Sequence, residues 1–268
     1  MLQQVNLSAP LGSVTGLIGR NGAGKSTLLR LLAGREARYT GEAQVFGRKL
    51  PDAASGTVYL TAEHWPFGGD QRLRDLAHHV SRVHPNFDME RANELLAWFD
   101  VPESRHPMAL SRGQRTAAFL SLALAARAPL TLLDEPYNGL DVPARQRFTR
   151  VLLEELRMFP RTLLISTHLV DEAEPLFQYV ALMEGGRVTA ADTVRGMITS
   201  FTRVSGPIVE VDALPRLGRL DREGAWASAV VRKGSEGDLP AKPVSLRELA
   251  DLLIGPRRDA QVDVEKGK

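Results

Sequence analysis

GRNGAGKST, at positions 19–27, decides how this chain folds. It fits the pattern G-x-x-x-x-G-K-[ST]. The glycines let backbone N–H groups converge on phosphate oxygens, Lys25 brings charge to the outer phosphates, and Ser26 offers a hydroxyl to Mg²⁺. An apolar run, VTGLI at 14–18, precedes it, and STLLRLLA at 26–33 has a helical periodicity that Gly34 stops. The loop therefore lies between a strand and a helix, and the positive end of that helix adds to phosphate binding. PLTLLDE at 129–135 and RTLLISTH at 161–168 are short apolar runs bounded by turn formers, the pattern of buried parallel strands. Helical patterns at 112–127 and 143–158 alternate with them, which predicts an α/β layer fold with a parallel sheet.

A phosphate loop on such a sheet forms a P-loop NTPase core, which serves kinases, GTPases and ATPases alike. The acidic partner narrows the chemistry. LTLLDEP at 130–136 sets Asp134 and Glu135 at a strand end, on the ligand edge of a parallel sheet. Asp134 suits Mg²⁺. Glu135, one residue on, points differently and suits orienting or deprotonating an attacking water, which implies hydrolysis rather than transfer to a second substrate. Without a P-loop the same acids would read as a helix cap or a surface pair. A third strand ends in Ser166-Thr167-His168, where His168 can donate to a terminal phosphate; a lone histidine is otherwise more often structural.

Composition bounds the remaining possibilities. The 268 residues suffice for one substantial domain with an appendage or for two modest domains. A hydrophobic content of 43% with 25% charged residues predicts a packed core. The balance of 34 basic and 32 acidic residues gives no broad field for nucleic acid, so nucleic acid is not an expected partner. The absence of cysteine excludes disulfides, thiolate nucleophiles and Cys-ligated metals, which suits a reducing interior. The longest apolar stretch, LSLALAARAPLTLL, is broken by Arg127 and Pro129, so no membrane span is expected. MLQQVNLSAPLGS lacks the basic and apolar regions of a secretory signal.

The chain changes character from Pro66 to Leu110, where LRDLAHHVSRV and MERANELLAWFD are helical; with the helix after it, this reads as a helical insertion over about 66–128. His78, His79 and His84 within it lack a credible metal-ligand arrangement and read as a solvated or partner-facing surface. After about residue 200 the sequence shifts again. PIVEVDALP and AWASAVVR read as short strands and SLRELADLLIG as a helix, giving a small α+β appendage over 201–256. The polar stretch 257–268 reads as a disordered tail.

With these parts assembled, the chain over about 1–200 resembles the ATP-binding cassette family, the ATPase subunits of ABC transporters. The P-loop, LSRGQ at 110–114, LLDEP, NGLD at 138–141 and His168 occur in the family's order. Taken alone, Ser111 would be a helix N-cap whose hydroxyl and following N–H groups make an anion site. The resemblance implies that Gly19, Asn21, Gly22, Ala23, Gly24, Lys25, Ser26 and Thr27 bind ATP. It also implies that Ser111, Gly113 and Gln114 act on the nucleotide of a second cassette, with which the chain dimerises head to tail, and that Asp141 couples the paired sites. Ser26 and Asp134 would hold Mg²⁺, with Glu135 and His168 catalytic.

Three departures from the family pattern stand out. Arg112 replaces the usual Gly, and either points outward or adds charge near the nucleotide. VYLTAEHWPF offers Ala62 or Glu63 where the family places a Gln, and Glu63 is a candidate to reach Mg²⁺ through water. The aromatic residue that usually stacks on adenine well before the P-loop has no counterpart, which implies weaker ATP affinity or reduced discrimination of ATP from GTP. STHLVDEAEPLF, MEGGRV and SLRELADLL look most like single-cassette bacterial drug or antibiotic exporters. The implied function is ATP hydrolysis that powers a separate transmembrane permease, peripherally on the cytoplasmic face of the cell membrane. The alternatives are a soluble cassette ATPase acting on DNA or ribosomes, or a low-activity nucleotide-dependent regulator.

Overall fold

The computed structural model describes residues 1–36, 38–61 and 72–254. They divide into two compact units, which part between Val194 and Arg195. This boundary lies a few residues before the expected one.

In the first unit the elements run β1 (Val14–Gly19), α1 (Lys25–Leu32), β2 (Gln44–Val45), β3 (Arg48–Lys49), β4 (Val58–Leu60), α2 (Leu73–Val83), α3 (Met89–Trp98), α4 (Arg112–Ala125), β5 (Leu130–Asp134), α5 (Val142–Met158), β6 (Thr162–Thr167), α6 (Val170–Ala173), β7 (Tyr179–Glu184) and β8 (Arg187–Thr193). The main sheet has the order β4-β5-β6-β1-β7-β8. Its strands are parallel except β8, which returns antiparallel to β7. β1 and β6 are buried along their whole length, which matches their unbroken apolar runs. Leu17, Leu29, Leu132 and Leu164 join one core between α1 and the sheet. Each such leucine stabilises the unit by roughly 2 kcal/mol on burial, so packing rather than β-propensity holds the central strands.

The helical insertion is α2, α3 and α4 as far as it is described. In α2 the residues Leu73, Leu76 and Ala77 point inward at helical spacing. Asp88 caps α3 by accepting from the Arg91 N–H at 2.9 Å. Arg91 Nε donates to Glu155 Oε1 of α5 at 2.7 Å, and Glu155 is fully buried. A charge pair thus anchors α3 to the α5 layer. His84 is buried beside Tyr59 with ring centroids 5.3 Å apart, and burial holds its pKa below 6.5. His78 and His79 lie exposed on α2, their Nδ1 atoms at 2.7 and 2.8 Å from the carbonyls of Arg74 and Asp75.

α7 (Val194–Thr199) leads into the second unit, followed by β9 (Phe201–Pro207), α8 (Ile208–Asp212), β10 (Arg216–Glu223), β11 (Trp226–Arg232), β12 (Ala241–Lys242) and α9 (Leu246–Ile254). Its antiparallel sheet has the order β10-β11-β9-β12 over a core of Val204, Val211, Ala229 and Val231. Two expectations are corrected here. PIVEVDALP is not a strand: Pro207 ends β9 and the following residues form α8, with Val211 buried and Val209 79% exposed. The sheet also has more strands than the expected pair. The stretch 257–268 lies outside the described residues, as does Glu63.

Candidate functional site

The strand order places the C-terminal ends of β5, β6 and β1 side by side, with Asp134 opposite Ser166 and Ile18 opposite Thr167. The P-loop leaves β1 at Gly19, Glu135 follows β5, and His168 follows β6. Residues far apart in the chain therefore meet at one edge of the sheet, where such sheets bind ligands.

The P-loop turns through Gly22 and Gly24, and the latter sits at φ +101°, a left-handed conformation that a side chain would strain. The carbonyl of Ala23 accepts from the Gly186 N–H at 3.0 Å, which fixes the loop to the turn between β7 and β8. α1 begins at Lys25 with no side-chain cap, so its first N–H groups are left for an anion. Ser26 and Thr27 are half-buried in its first turn, while Asn21 is exposed.

Lys25 is 5% exposed and does not hang in solvent. Its Nζ donates to the Gly19 carbonyl at 2.7 Å and lies 3.0 Å from Glu135 Oε1. Glu135 Oε2 in turn lies 2.8 Å from His168 Nδ1. The carboxylate thus bridges the two predicted phosphate-facing groups. Glu135 is itself at φ +47°, in the left-handed region that a non-glycine residue adopts at some cost. Its backbone N–H donates to Ser166 Oγ at 2.8 Å, which helps hold that conformation.

Ser166 was not singled out in the sequence, and it organises both acids. Its Oγ donates to Asp134 Oδ1 at 2.5 Å while accepting from Glu135. Ser166 is fully buried, so this hydroxyl has no water to substitute for either partner. Its signal in the sequence was a small polar residue inside the apolar run TLLIST. Thr61 plays a smaller part by accepting from the Asp134 N–H at 2.9 Å.

The LSRGQ segment lies at the start of α4. Ser111 Oγ accepts from the Gln114 N–H at 3.2 Å, and Gln114 Oε1 accepts from the Ser111 N–H at 3.2 Å, a reciprocal capping box. Gln114 Nε2 also donates to the Asp100 carbonyl at 3.2 Å. Ser111 is exposed and is not joined to the P-loop by any described contact. A Cβ on Gly113 would stand 2.8 Å from the Gly139 carbonyl oxygen, so the close approach of α4 to the 138–141 loop requires glycine there. Asp141 caps α5 by accepting from the Ala144 N–H at 2.8 Å.

Among the described residues no cluster of three or more His, Cys, Asp or Glu residues could hold a metal ion unaided. The donors present, the Ser26 hydroxyl and the Asp134 carboxylate, are hard oxygens. They suit Mg²⁺, which takes one or two protein ligands and otherwise keeps water and phosphate oxygens. No described helix is long and apolar enough to cross a membrane.

Comparison with known proteins agrees with this geometry. The family described as "ABC transporter" matches residues 2–138. The chain is 27% identical over 256 residues to "ABC transporter ATP-binding protein YtrB" of Bacillus subtilis (strain 168), covering 93% of this chain and 86% of that protein. It is 36% identical over 193 residues to "Aliphatic sulfonates import ATP-binding protein SsuB" of Mycobacterium avium (strain 104), covering 70% and 73%. A dimeric bacterial ABC transporter cassette superposes with a TM-score of 0.64 at 22% identity, covering 73% of this chain and 91% of that one, which shows the shared fold. The chain belongs to the ABC transporter family, as a P-loop ATPase of the ATP-binding cassette type.

Proposed function

We propose that this ATPase powers a separate transmembrane permease through ATP-driven pairing of two cassettes, and that Glu135 and His168 carry the hydrolytic step. The supporting observation is the single carboxylate of Glu135 joined to both Lys25 and His168 at the sheet edge. Lys25 and the loop amides from Gly19 to Thr27 bind the phosphates. Glu135 takes a proton from the attacking water, and His168 steadies the terminal phosphate. Mg²⁺, when bound through Ser26 and Asp134, supplies positive charge to the phosphate oxygens. Ser111, exposed at the start of α4 and hydrogen-bonded to Gln114, is read as serving the nucleotide of the second cassette with Gly113 and Gln114.

Export is the direction proposed, from the likeness of STHLVDEAEPLF and MEGGRV to exporter cassettes. Import is the second reading, favoured by the printed names of relatives such as SsuB and the "Sulfate/thiosulfate import ATP-binding protein CysA" of Synechocystis sp., 30% identical over 275 residues. A deletion strain separates the two: sensitivity to toxic peptides supports export, and failure to grow on an oxidised sulfur source supports import. The tagged chain, purified from its native membrane in detergent, is expected to bring down a multi-span membrane protein. Consistent recovery of ribosomes or DNA in its place would overturn the transporter reading.

A further inference from the structure

The start of α4 and the loop that follows Glu135 are fastened together within one chain. Thr116 Oγ1, one turn into α4, lies 2.9 Å from the Asn138 carbonyl and 3.2 Å from the Arg112 carbonyl. The Asn138 N–H donates to the Glu135 carbonyl at 3.0 Å, so this loop is hydrogen-bonded back to Glu135 itself. Gly139 sits at φ +84° beneath the aliphatic stem of Arg112: a Cβ there would meet Arg112 Cγ at 2.9 Å and Cδ at 3.3 Å. Gly113 meets the same loop from the next position, as described above. Backbone, hydroxyl and side-chain stem thus converge on the few residues between Glu135 and Asp141.

We infer that Thr116 and the stem of Arg112 are positioning residues, which couple the Ser111 end of α4 to the Glu135 loop of the same chain. The inference rests on the proposed function, in which Ser111 serves one nucleotide and Glu135 another. A helix end that shifts on engaging the partner's nucleotide then moves Asn138 and Gly139, and with them the carbonyl of Glu135. The linkage gives each ATP site information about the other without any contact between the nucleotides. It also gives Arg112 a role that depends on its methylenes rather than on its charge.

The test uses the full chain and steady-state ATP hydrolysis, read as kcat, KM and Hill coefficient, with the affinity for ADP and the Tm measured alongside. Thr116→Val keeps the side chain's shape and removes the hydroxyl. It is expected to lower kcat about tenfold, the equivalent of about 1.4 kcal/mol, because losing this hydrogen bond releases the loop that holds Glu135 in place. The Hill coefficient should fall toward one, with ADP affinity unchanged; Thr116→Ser should behave as the parent. Arg112→Met keeps the stem and should retain cooperativity, whereas Arg112→Gly should lose it.

Parent kcat and Hill coefficient in Thr116→Val would overturn the inference. So would equal loss in Arg112→Met and Arg112→Gly, which would assign the effect to charge. Parallel loss of ADP affinity and Tm in both Thr116 variants would also overturn it, because that marks a merely structural contact. Failure of the underlying reading looks different: Glu135→Gln would then hydrolyse ATP at the parent rate, whatever Thr116 does.

Discussion

Replacing Glu135 by Gln should separate binding from turnover, and the two should move in opposite directions. In the structure the Lys25 ammonium, 5% exposed, is held by the Gly19 carbonyl at 2.7 Å and by Glu135 Oε1 at 3.0 Å. A terminal phosphate that reaches Lys25 has to displace this carboxylate, and the same carboxylate repels the phosphate. The contact of Lys25 with Glu135 is an ion pair rather than an aligned hydrogen bond, and a contact between charged groups contributes about 1.5–3 kcal/mol, against about 0.5–1.5 kcal/mol when one partner is neutral. Gln still offers Lys25 an oxygen, so the substitution weakens the competing contact by about 1.5 kcal/mol, or about tenfold in affinity. Binding of a non-hydrolysable ATP analogue, followed by calorimetry, should therefore tighten about tenfold. Hydrolysis should meanwhile fall by roughly 10²–10⁴, the usual worth of a general base. Unchanged or weaker analogue binding would refute the competition between Glu135 and phosphate for Lys25. Turnover at the parent rate would refute the catalytic role.

Other predictions follow from buried polar groups. Ser166→Ala removes the donor to Asp134 and the acceptor for the Glu135 N–H at a fully buried position. It should lower stability by about 1–3 kcal/mol in urea titration and reduce turnover further than the loss of fold explains; parent turnover would exclude the organising role of Ser166. Glu155→Gln leaves Arg91 and the buried Arg161 without their shared counter-charge, and Glu155 is fully buried. A loss of about 3 kcal/mol is expected, lowering Tm by roughly 6–12 °C, and a shift under 2 °C would contradict it. Burial holds His84 below its ordinary pKa of 6.5. The unfolded chain therefore takes up a proton that the folded chain resists as pH falls below 6.5, and stability drops over that window. Tm measured from about pH 7 to about pH 5 should fall less steeply in His84→Phe than in the parent, and equal slopes would contradict the assignment.

Much of the fold was legible because its signals are local. LRDLAHHVSRV carries Leu73, Leu76 and Ala77 at helical spacing, and α2 spans that stretch from end to end. PIVEVDALP misled for an equally local reason: its alternating Ile, Val and Glu residues mimic a strand, while Pro207 both closes β9 and opens α8. β9 itself was hidden because Arg203, Ser205 and Gly206 interrupt its apolar pattern. The structure explains Arg203 there: its Nε donates to Glu248 Oε1 at 2.6 Å and its Nη1 to Ser228 Oγ at 2.8 Å.

At the site the same division holds. The P-loop is contiguous, so its residues could be named from their order alone. Ser166 reaches Asp134 across 32 residues, Thr61 reaches it across 73, and Thr116 reaches Asn138 across 22. Such links exist only once strands and helices pack side by side. A motif reveals which groups do chemistry; the hydroxyls that aim them are scattered through neighbouring elements and look like ordinary Ser and Thr.

The central claim is that the working site is shared between two copies, with the P-loop from one chain and Ser111 from the other. Mixing two inactive variants, Lys25→Ala and Ser111→Arg, tests it most directly. In a shared site a mixed pair contains one intact combination, the P-loop of the Ser111→Arg chain facing the Ser111 of the Lys25→Ala chain. ATP hydrolysis should then appear on mixing at a rate neither variant shows alone. A mixture no more active than the sum of its parts would contradict the account.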